Sequence, residues 1–219
     1  MRLVITAGPT REPIDPVRYL SNRSSGKMGY AIAEAALEAG HEVILISGPV
    51  CLATPERARL VAVTTSDEMH NAVHHHLSNC DILVMCAAVA DYKPAVVLPH
   101  KIKKHSATLA LALELIPTRD ILASLGASPR NFLLVGFAAE TNNLEENAQK
   151  KLREKHCDIM VANDVSGSDS GMESDENAVT IFFQNGEKKE ISRTSKKNIA
   201  RELVKIFSNM REKSLTKKM

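Results

Sequence analysis

Five short stretches of this chain, Leu3–Thr6, Val43–Ile46, Ile82–Cys86, Phe132–Phe137 and Ile159–Ala162, are almost unbroken in Val, Ile, Leu, Phe and Met. A strand with one wet face alternates apolar and polar residues, whereas an unbroken one must be covered on both faces. Amphipathic segments lie between the stretches, around Met28–Ala39, Ser66–Leu77, Asp120–Leu125 and Leu144–Lys155. Doubly buried strands alternating with helices predict an α/β fold, a doubly wound, mostly parallel, Rossmann-like sheet.

Two regions depart from the alternation. Residues 93–115 read as a mobile, lysine-bearing connection with its own alternating segment, Thr108–Leu115. From Val179 to Ile191 the chain reads as a hairpin turning at Asn185-Gly186. Residues 166–177 read as a polar surface loop, Lys196–Ser208 as a final helix, and 209–219 as a basic tail. At 219 residues a single domain is expected.

Charge and composition remove several classes of function. A net charge of +2 gives no electrostatic footprint for nucleic acid. No stretch approaches the roughly 20 apolar residues of a membrane helix, so no membrane partner is expected. The first apolar run ends in Gly8-Pro9 with no cleavage site, which reads as a strand and places the protein in the cytoplasm. Cys51, Cys80, Cys86 and Cys157 are irregularly spaced and read as reduced thiols.

The first strand is followed by an unusual connection, GPTREPIDPVRYLSNRSSGKMG (8–29). An ordinary dinucleotide turn reaches its helix within a few residues. Here Gly8 is separated from the helix-opening Gly26 and Gly29 by a long stretch holding Arg11, Arg18, Arg23 and, beside Gly26, Lys27. Glycines at a helix start let N–H groups approach a phosphate, and the dipole adds roughly 0.3–1 kcal/mol, up to about 2 when partly buried. Long loops in compact domains are usually functional, so this one is read as an anion site. It is not a P-loop, because Met28 follows Gly26-Lys27 and Ser21 stands where the first glycine belongs.

A nicotinamide-dependent reductase is the competing reading. It wants an acid at the end of the second strand for the ribose, where this chain has Ser47-Gly48-Pro49. It also wants a Tyr-x-x-x-Lys pair, and none of Tyr19, Tyr30 or Tyr92 has a lysine four residues on.

Further motifs follow the later strands. AAVADYKP (87–94) puts small residues at a strand's carboxyl end, with room for a flat ring, and then Asp91. KIKK (101–104) brings Lys101 in a basic connection. GFAAETNN (136–143) precedes a helix that Asn142 with Glu145, or Asn143 with Glu146, would cap. Lys151 and Lys155, four apart, share one face of it. His70 and His74 have metal-pair spacing but lack the glutamate of a zinc-protease motif, so with His75 and His76 they read as a polar helix face.

Together with ANDVSG and SDEN, these motifs resemble, in order and spacing, the bacterial type of phosphopantothenate–cysteine ligase over residues 2 to about 207. The resemblance implies a ligase of coenzyme A biosynthesis, standing alone without the flavin-dependent decarboxylase to which it is often fused. It implies activation of 4′-phosphopantothenate by CTP, with Mg2+ or Mn2+, to an acyl-cytidylate and pyrophosphate. The amine of L-cysteine then attacks the acyl carbon and releases CMP. The nucleotide would lie near Met85, Cys86, Ala87, Asp91, Phe137 and Arg119–Leu122 (Arg119, Asp120, Ile121, Leu122), its phosphates near Lys101, Lys151 and Lys155. Gly8, Gly26, Lys27 and Gly29 would form the phosphate and substrate loop. Asn22 would donate to the acyl oxyanion, and Asn22 and Lys101 are the expected catalytic groups; the metal ligands are left open. The family departs from this chain at Arg119, where a proline is expected. A homodimer, built partly by strands outside the main sheet, is also implied.

Overall fold

The computed structural model describes residues 1–103, 111–140, 142–164 and 174–216. In its first half β1 (Arg2–Ala7) is followed by the short strands β2 (Arg11–Pro13) and β3 (Tyr19–Ser21), then α1 (Lys27–Glu38), β4 (Glu42–Ser47), β5 (Arg59–Ala62), α2 (Ser66–His75) and β6 (Ile82–Met85). The second half runs β7 (Tyr92–Pro94), β8 (Leu115–Pro117), α3 (Ile121–Gly126), β9 (Leu133–Glu140), α4 (Leu144–Glu154), β10 (Ile159–Asp164), β11 (Glu176–Phe183), β12 (Lys188–Ser195) and α5 (Lys196–Thr216).

One sheet carries the order β12-β11-β10-β9-β6-β1-β4-β5. Its strands from β10 to β5 are parallel, and the β11–β12 hairpin adds antiparallel pairs at one edge. Successive residues of β1 serve opposite cores: Leu3, Ile5 and Ala7 pack with α1 and α5, while Val4 packs on the side of α2, α3 and α4. Both cores are buried, which is why these strands are apolar without alternation.

Several expectations are corrected. The long 8–29 connection contains a ribbon, β2 against β3, closed by Ile14 N–H donating to the Arg18 carbonyl at 2.8 Å. β5 is a further edge strand, half exposed and too short to show a period. In the 93–115 connection, β7 pairs with β8, and Ile102 donates its N–H to Asp15 Oδ2 at 3.1 Å while its carbonyl accepts from Arg18 at 2.6 Å. Of the expected alternating segment Thr108–Leu115, residues 108–110 lie outside the described residues, 111–114 form no strand, and Leu115 begins the strand Leu115–Pro117. Of the expected 166–177 loop, 166–173 lie outside the described residues and Glu176 already belongs to β11.

The final helix runs past Ser208 to Thr216, because Phe207 and Arg211 are buried, the latter 3.4 Å from Asp81. So the tail is helical through Thr216, with 217–219 outside the described residues. Neither predicted cap forms on α4. Asn143 sits in the left-handed region at φ 45° with no side-chain cap bond, and Asn147 instead donates back to the Asn142 carbonyl at 3.0 Å.

Candidate functional site

Chain direction in the sheet reverses between β1 and β6: β1 leads outward to β4 and β5, and the chain returns to β6 on β1's other side. Helices on opposite faces diverge there, and open α/β sheets bind ligands in the crevice this leaves at the strands' carboxyl ends. A cleft of about 610 Å3 occupies that place.

Buried threonines build its floor. Thr6, fully buried in β1, accepts at Oγ1 from the N–H groups of Cys86 and Ala87, both at 3.1 Å. Thr10, also fully buried, accepts from Ala90 N–H at 3.0 Å, and Ala88 N–H donates to the Gly8 carbonyl at 2.9 Å. The 86–90 segment is thereby stitched to the turn after β1. Gly8 makes that turn at φ 73°, and a Cβ there would lie 2.8 Å from Val50 Cγ1. Asn22 reaches in from beyond β3, its Nδ2 donating to the carbonyls of Ala88 and Val89, each at 3.2 Å. Both donors of that amide are engaged by backbone, so donation to an acyl oxygen requires one of these bonds to be exchanged.

One wall is the start of α1. Gly26 precedes it at φ 77°, and its first turn carries no acid but Lys27, whose Nζ lies 2.6 Å from Asp175 Oδ1. The opposite wall comes from α3 and α4. Asp120 caps α3 by accepting from Ala123 N–H at 2.8 Å and takes Lys155 Nζ at 2.5 Å. Burial pushes the Asp120 carboxyl up, but the Lys155 ammonium and the Ala123 N–H outweigh it and hold the group below its ordinary value. Lys151 Nζ meets Glu140 Oε1 at 2.7 Å. Arg119, mostly exposed, points its Nε toward Asp67 at 3.7 Å, and Asp67 is also paired with Lys93. The Cys86 thiol is pushed up to about 12 by burial, which suits a wall and not a nucleophile.

Of the residues expected from the sequence, Asn22, Gly26, Lys27, Gly29, Met85, Cys86, Ala87, Asp91, Arg119, Asp120, Ile121, Leu122, Phe137, Lys151 and Lys155 line this one cleft. Gly8 lies beneath it, shaping the turn, and Lys101 is exposed and not among the lining residues. The lining also includes Asn163, Asn177 and Lys196, residues without a role assigned from the sequence. Asn163 and Asn177 belong to ANDVSG and SDEN, so motif order was the signal that held them. Where a dinucleotide site would place an acid, Ser47 is 4% exposed and its Oγ donates to the Gly48 carbonyl at 2.8 Å.

Fold and cleft thus define an open α/β protein with a cationic ligand crevice at its switch point. A family model described as the DNA/pantothenate metabolism flavoprotein C-terminal domain matches residues 1–210, and the chain belongs to that family. It is 48% identical over 187 residues to the coenzyme A biosynthesis bifunctional protein CoaBC of Vibrio vulnificus, covering 85% of this chain and 47% of that protein. With the CoaBC of Bacillus subtilis it shares 48% identity over 203 residues, 92% of this chain and 50% of the relative. The chain therefore spans about half the length of these curated relatives. The crystal structure of the C-terminal domain of a CoaBC protein superposes with a TM-score of 0.82 at 46% identity, covering 97% of this chain and 96% of that one.

Proposed function

We propose that this chain is a phosphopantothenate–cysteine ligase of coenzyme A biosynthesis, using CTP to activate 4′-phosphopantothenate and coupling it to L-cysteine. The observation that carries the reading is the convergence, in one switch-point cleft, of nearly every residue that the family resemblance assigns to the site. The reaction brings its own nucleophiles, a carboxylate and then an amine. The protein's work is to hold them in line and to neutralise phosphate.

The cleft suits that work. Small residues Ala87 and Ala88 open the end of β6, and Phe137 offers a flat wall for a base. Lys151 and Lys155 stand where they can exchange Glu140 and Asp120 for phosphate oxygens. Magnesium or manganese, bound with the nucleotide, would supply charge neutralisation at the phosphates. Such ions need only one or two protein carboxylates, and Asp91 and Asp120 on the lining fit that need. Cys86, with its thiol held protonated, takes no covalent part.

A homodimer belongs to this reading. Tyr92, Leu115 and Ile116 of the β7–β8 ribbon are 55%, 43% and 39% exposed, with Val96 and Val97 beside them at 69% and 51%, an apolar surface suited to a second copy. Residence in the cytoplasm is part of the proposal; among the described residues no helix is long and apolar enough to cross a membrane.

The test is pyrophosphate release by purified protein. CTP, 4′-phosphopantothenate and L-cysteine together should yield phosphopantothenoylcysteine, CMP and pyrophosphate. Absence of pyrophosphate with all three present would sink the ligase reading, NADPH binding in its place would favour the reductase, and equal turnover with ATP would remove the CTP assignment.

A further inference from the structure

The β2–β3 ribbon stands off the main sheet and is hydrogen-bonded to its surroundings at three levels. At its root Ser21 Oγ donates to the Thr10 carbonyl at 2.7 Å, and Thr10 and Asn22 meet the 88–90 segment of the cleft floor. Above the root, Arg11 N–H donates to the Thr64 carbonyl at 2.7 Å, and Glu12, 1% exposed, accepts from Ser66 N–H at 2.8 Å. A carboxylate buried so deeply needs a partner, and here the partner is the start of α2. At the tip, Leu98 N–H donates to the Ile14 carbonyl at 3.0 Å.

Asp15, its side chain fully buried, organises that tip. Its Oδ1 accepts from the N–H groups of Val17 at 2.8 Å and Arg18 at 2.9 Å, an Asx turn that closes the ribbon. Closing the turn asks nothing more of the carboxylate, yet Oδ2 accepts from Ile102 N–H as well as from Arg18 Nε at 3.0 Å. Arg18 in turn donates to the Ile102 carbonyl, so both backbone groups of Ile102 are gripped by side chains of the tip. The next residue back is Lys101, which is exposed. From Arg11 to Ile14 the ribbon rises three residues, about 10 Å, so the grip sits a set distance out from the cleft floor. A polyphosphate extends away from the base that anchors it, and a cation standing beyond the lining can meet its outer end.

We propose that Asp15 is a positioning residue for Lys101: through the Ile102 peptide it sets where the Lys101 ammonium stands relative to the cleft. The inference rests on the ligase reading, in which Lys101 meets a phosphate of the nucleotide. Misplacing a group of that kind by about 1 Å costs on the order of a hundredfold in rate.

A double-mutant cycle in CTP kinetics is the test. Asp15→Asn keeps an oxygen for the turn and removes the charge that holds Ile102 and Arg18. By itself it should lower kcat/KM about ten- to a hundredfold, as should Lys101→Gln, and the double variant should be no worse than Lys101→Gln alone. A merely structural Asp15 would lower both backgrounds by the same factor, so losses that multiply overturn the proposal, as does a Lys101→Gln with the parent's kcat/KM. If Asp15→Asn does not fold, Ile102→Pro carries the same cycle, since it deletes the N–H and leaves the ribbon's residues unchanged. Trypsin supplies a readout without turnover: cleavage between Lys101 and Ile102, followed by mass spectrometry, should run roughly tenfold faster in Asp15→Asn. Equal cleavage in the two folded proteins overturns the grip, whatever the turnover assay has shown. Should the parent release no pyrophosphate, calorimetry with CTP runs the same cycle in Kd. A parent whose Kd neither substitution alters overturns the role of Asp15 alone, and one that binds no CTP sinks the ligase reading and this role together.

Discussion

Replacing Gly29 by alanine tests how α1 is seated. A Cβ at position 29 would stand 2.6 Å from Ala7 Cβ, 3.0 Å from the Thr6 carbonyl oxygen and 3.1 Å from Ala7 Cα. All three belong to β1, where Ala7 pairs with Ser47 and Thr6 with Ile46 on one side and Met85 on the other, so no flexible side chain can swing clear. Overpacking of this kind costs about 1–3 kcal/mol, and rigid neighbours put it near the top of that range. Alanine returns about 1 kcal/mol of helix propensity, leaving a loss of about 2 kcal/mol. For a chain of this size that lowers the melting temperature by about 4–8 °C. The control is Gly136→Ala, whose Cβ would meet Met160 Cε at 2.8 Å and Leu122 Cδ2 at 3.0 Å, ends that can turn away. Thermal unfolding of both variants by circular dichroism is the assay. A Gly29→Ala protein as stable as its parent, or one more stable than Gly136→Ala, would refute the reasoning.

Lys151→Gln and Lys155→Gln should raise the KM for nucleotide about tenfold or more while hardly moving the melting temperature, because such exposed pairs contribute about 0.2–1 kcal/mol. Lys101→Gln belongs in the same series, and unchanged kinetics in all three would return them to solvated surface. Asn22→Asp should still release pyrophosphate while coupling slows on the order of a hundred- to a thousandfold, with acyl-cytidylate accumulating in quenched samples. Loss of pyrophosphate release as well would move Asn22 to binding or activation. Asp15 has its carboxyl lowered to about 2, since burial, which pushes it up, is outweighed by N–H donation from Ile102, Val17 and Arg18. A depressed carboxyl stabilises the folded state above its ordinary value and loses that contribution as pH falls from about 4 to about 2. Asp15→Asn should flatten urea-unfolding midpoints across that window and speed hydrogen exchange at the Ile102 amide. An unchanged acid profile would show that the charge on Asp15 does no structural work.

The central strands were legible because burial on both faces leaves an unbroken apolar signature. β5 was not, since RLVA at a half-exposed edge has neither length nor alternation. The β2–β3 and β7–β8 ribbons pair only three residues each, fewer than any period needs to register. The site was read through motif order, which held Asn22, Asp91, Asp120 and Lys155 in one cleft. Lys196 escaped because a lysine at the start of a polar helix looks solvated. Its burial comes from α5 packing along α1 and β11, a long-range event without a local trace.

The edges of the main sheet constrain how copies of this chain can meet. β12 reads KKEISRTS, with Lys188 paired to Glu145 and Arg193 to Glu176, so its outer rim is charged. Charged edges resist the addition of another strand. At the far edge β5 offers four residues, too short a template to extend. Growth by sheet continuation, the route to open-ended fibrils, is blocked at both ends. In the proposed homodimer the apolar β7–β8 ribbon, outside the main sheet, would meet its own copy about a twofold axis, an association that closes on itself and stops at two.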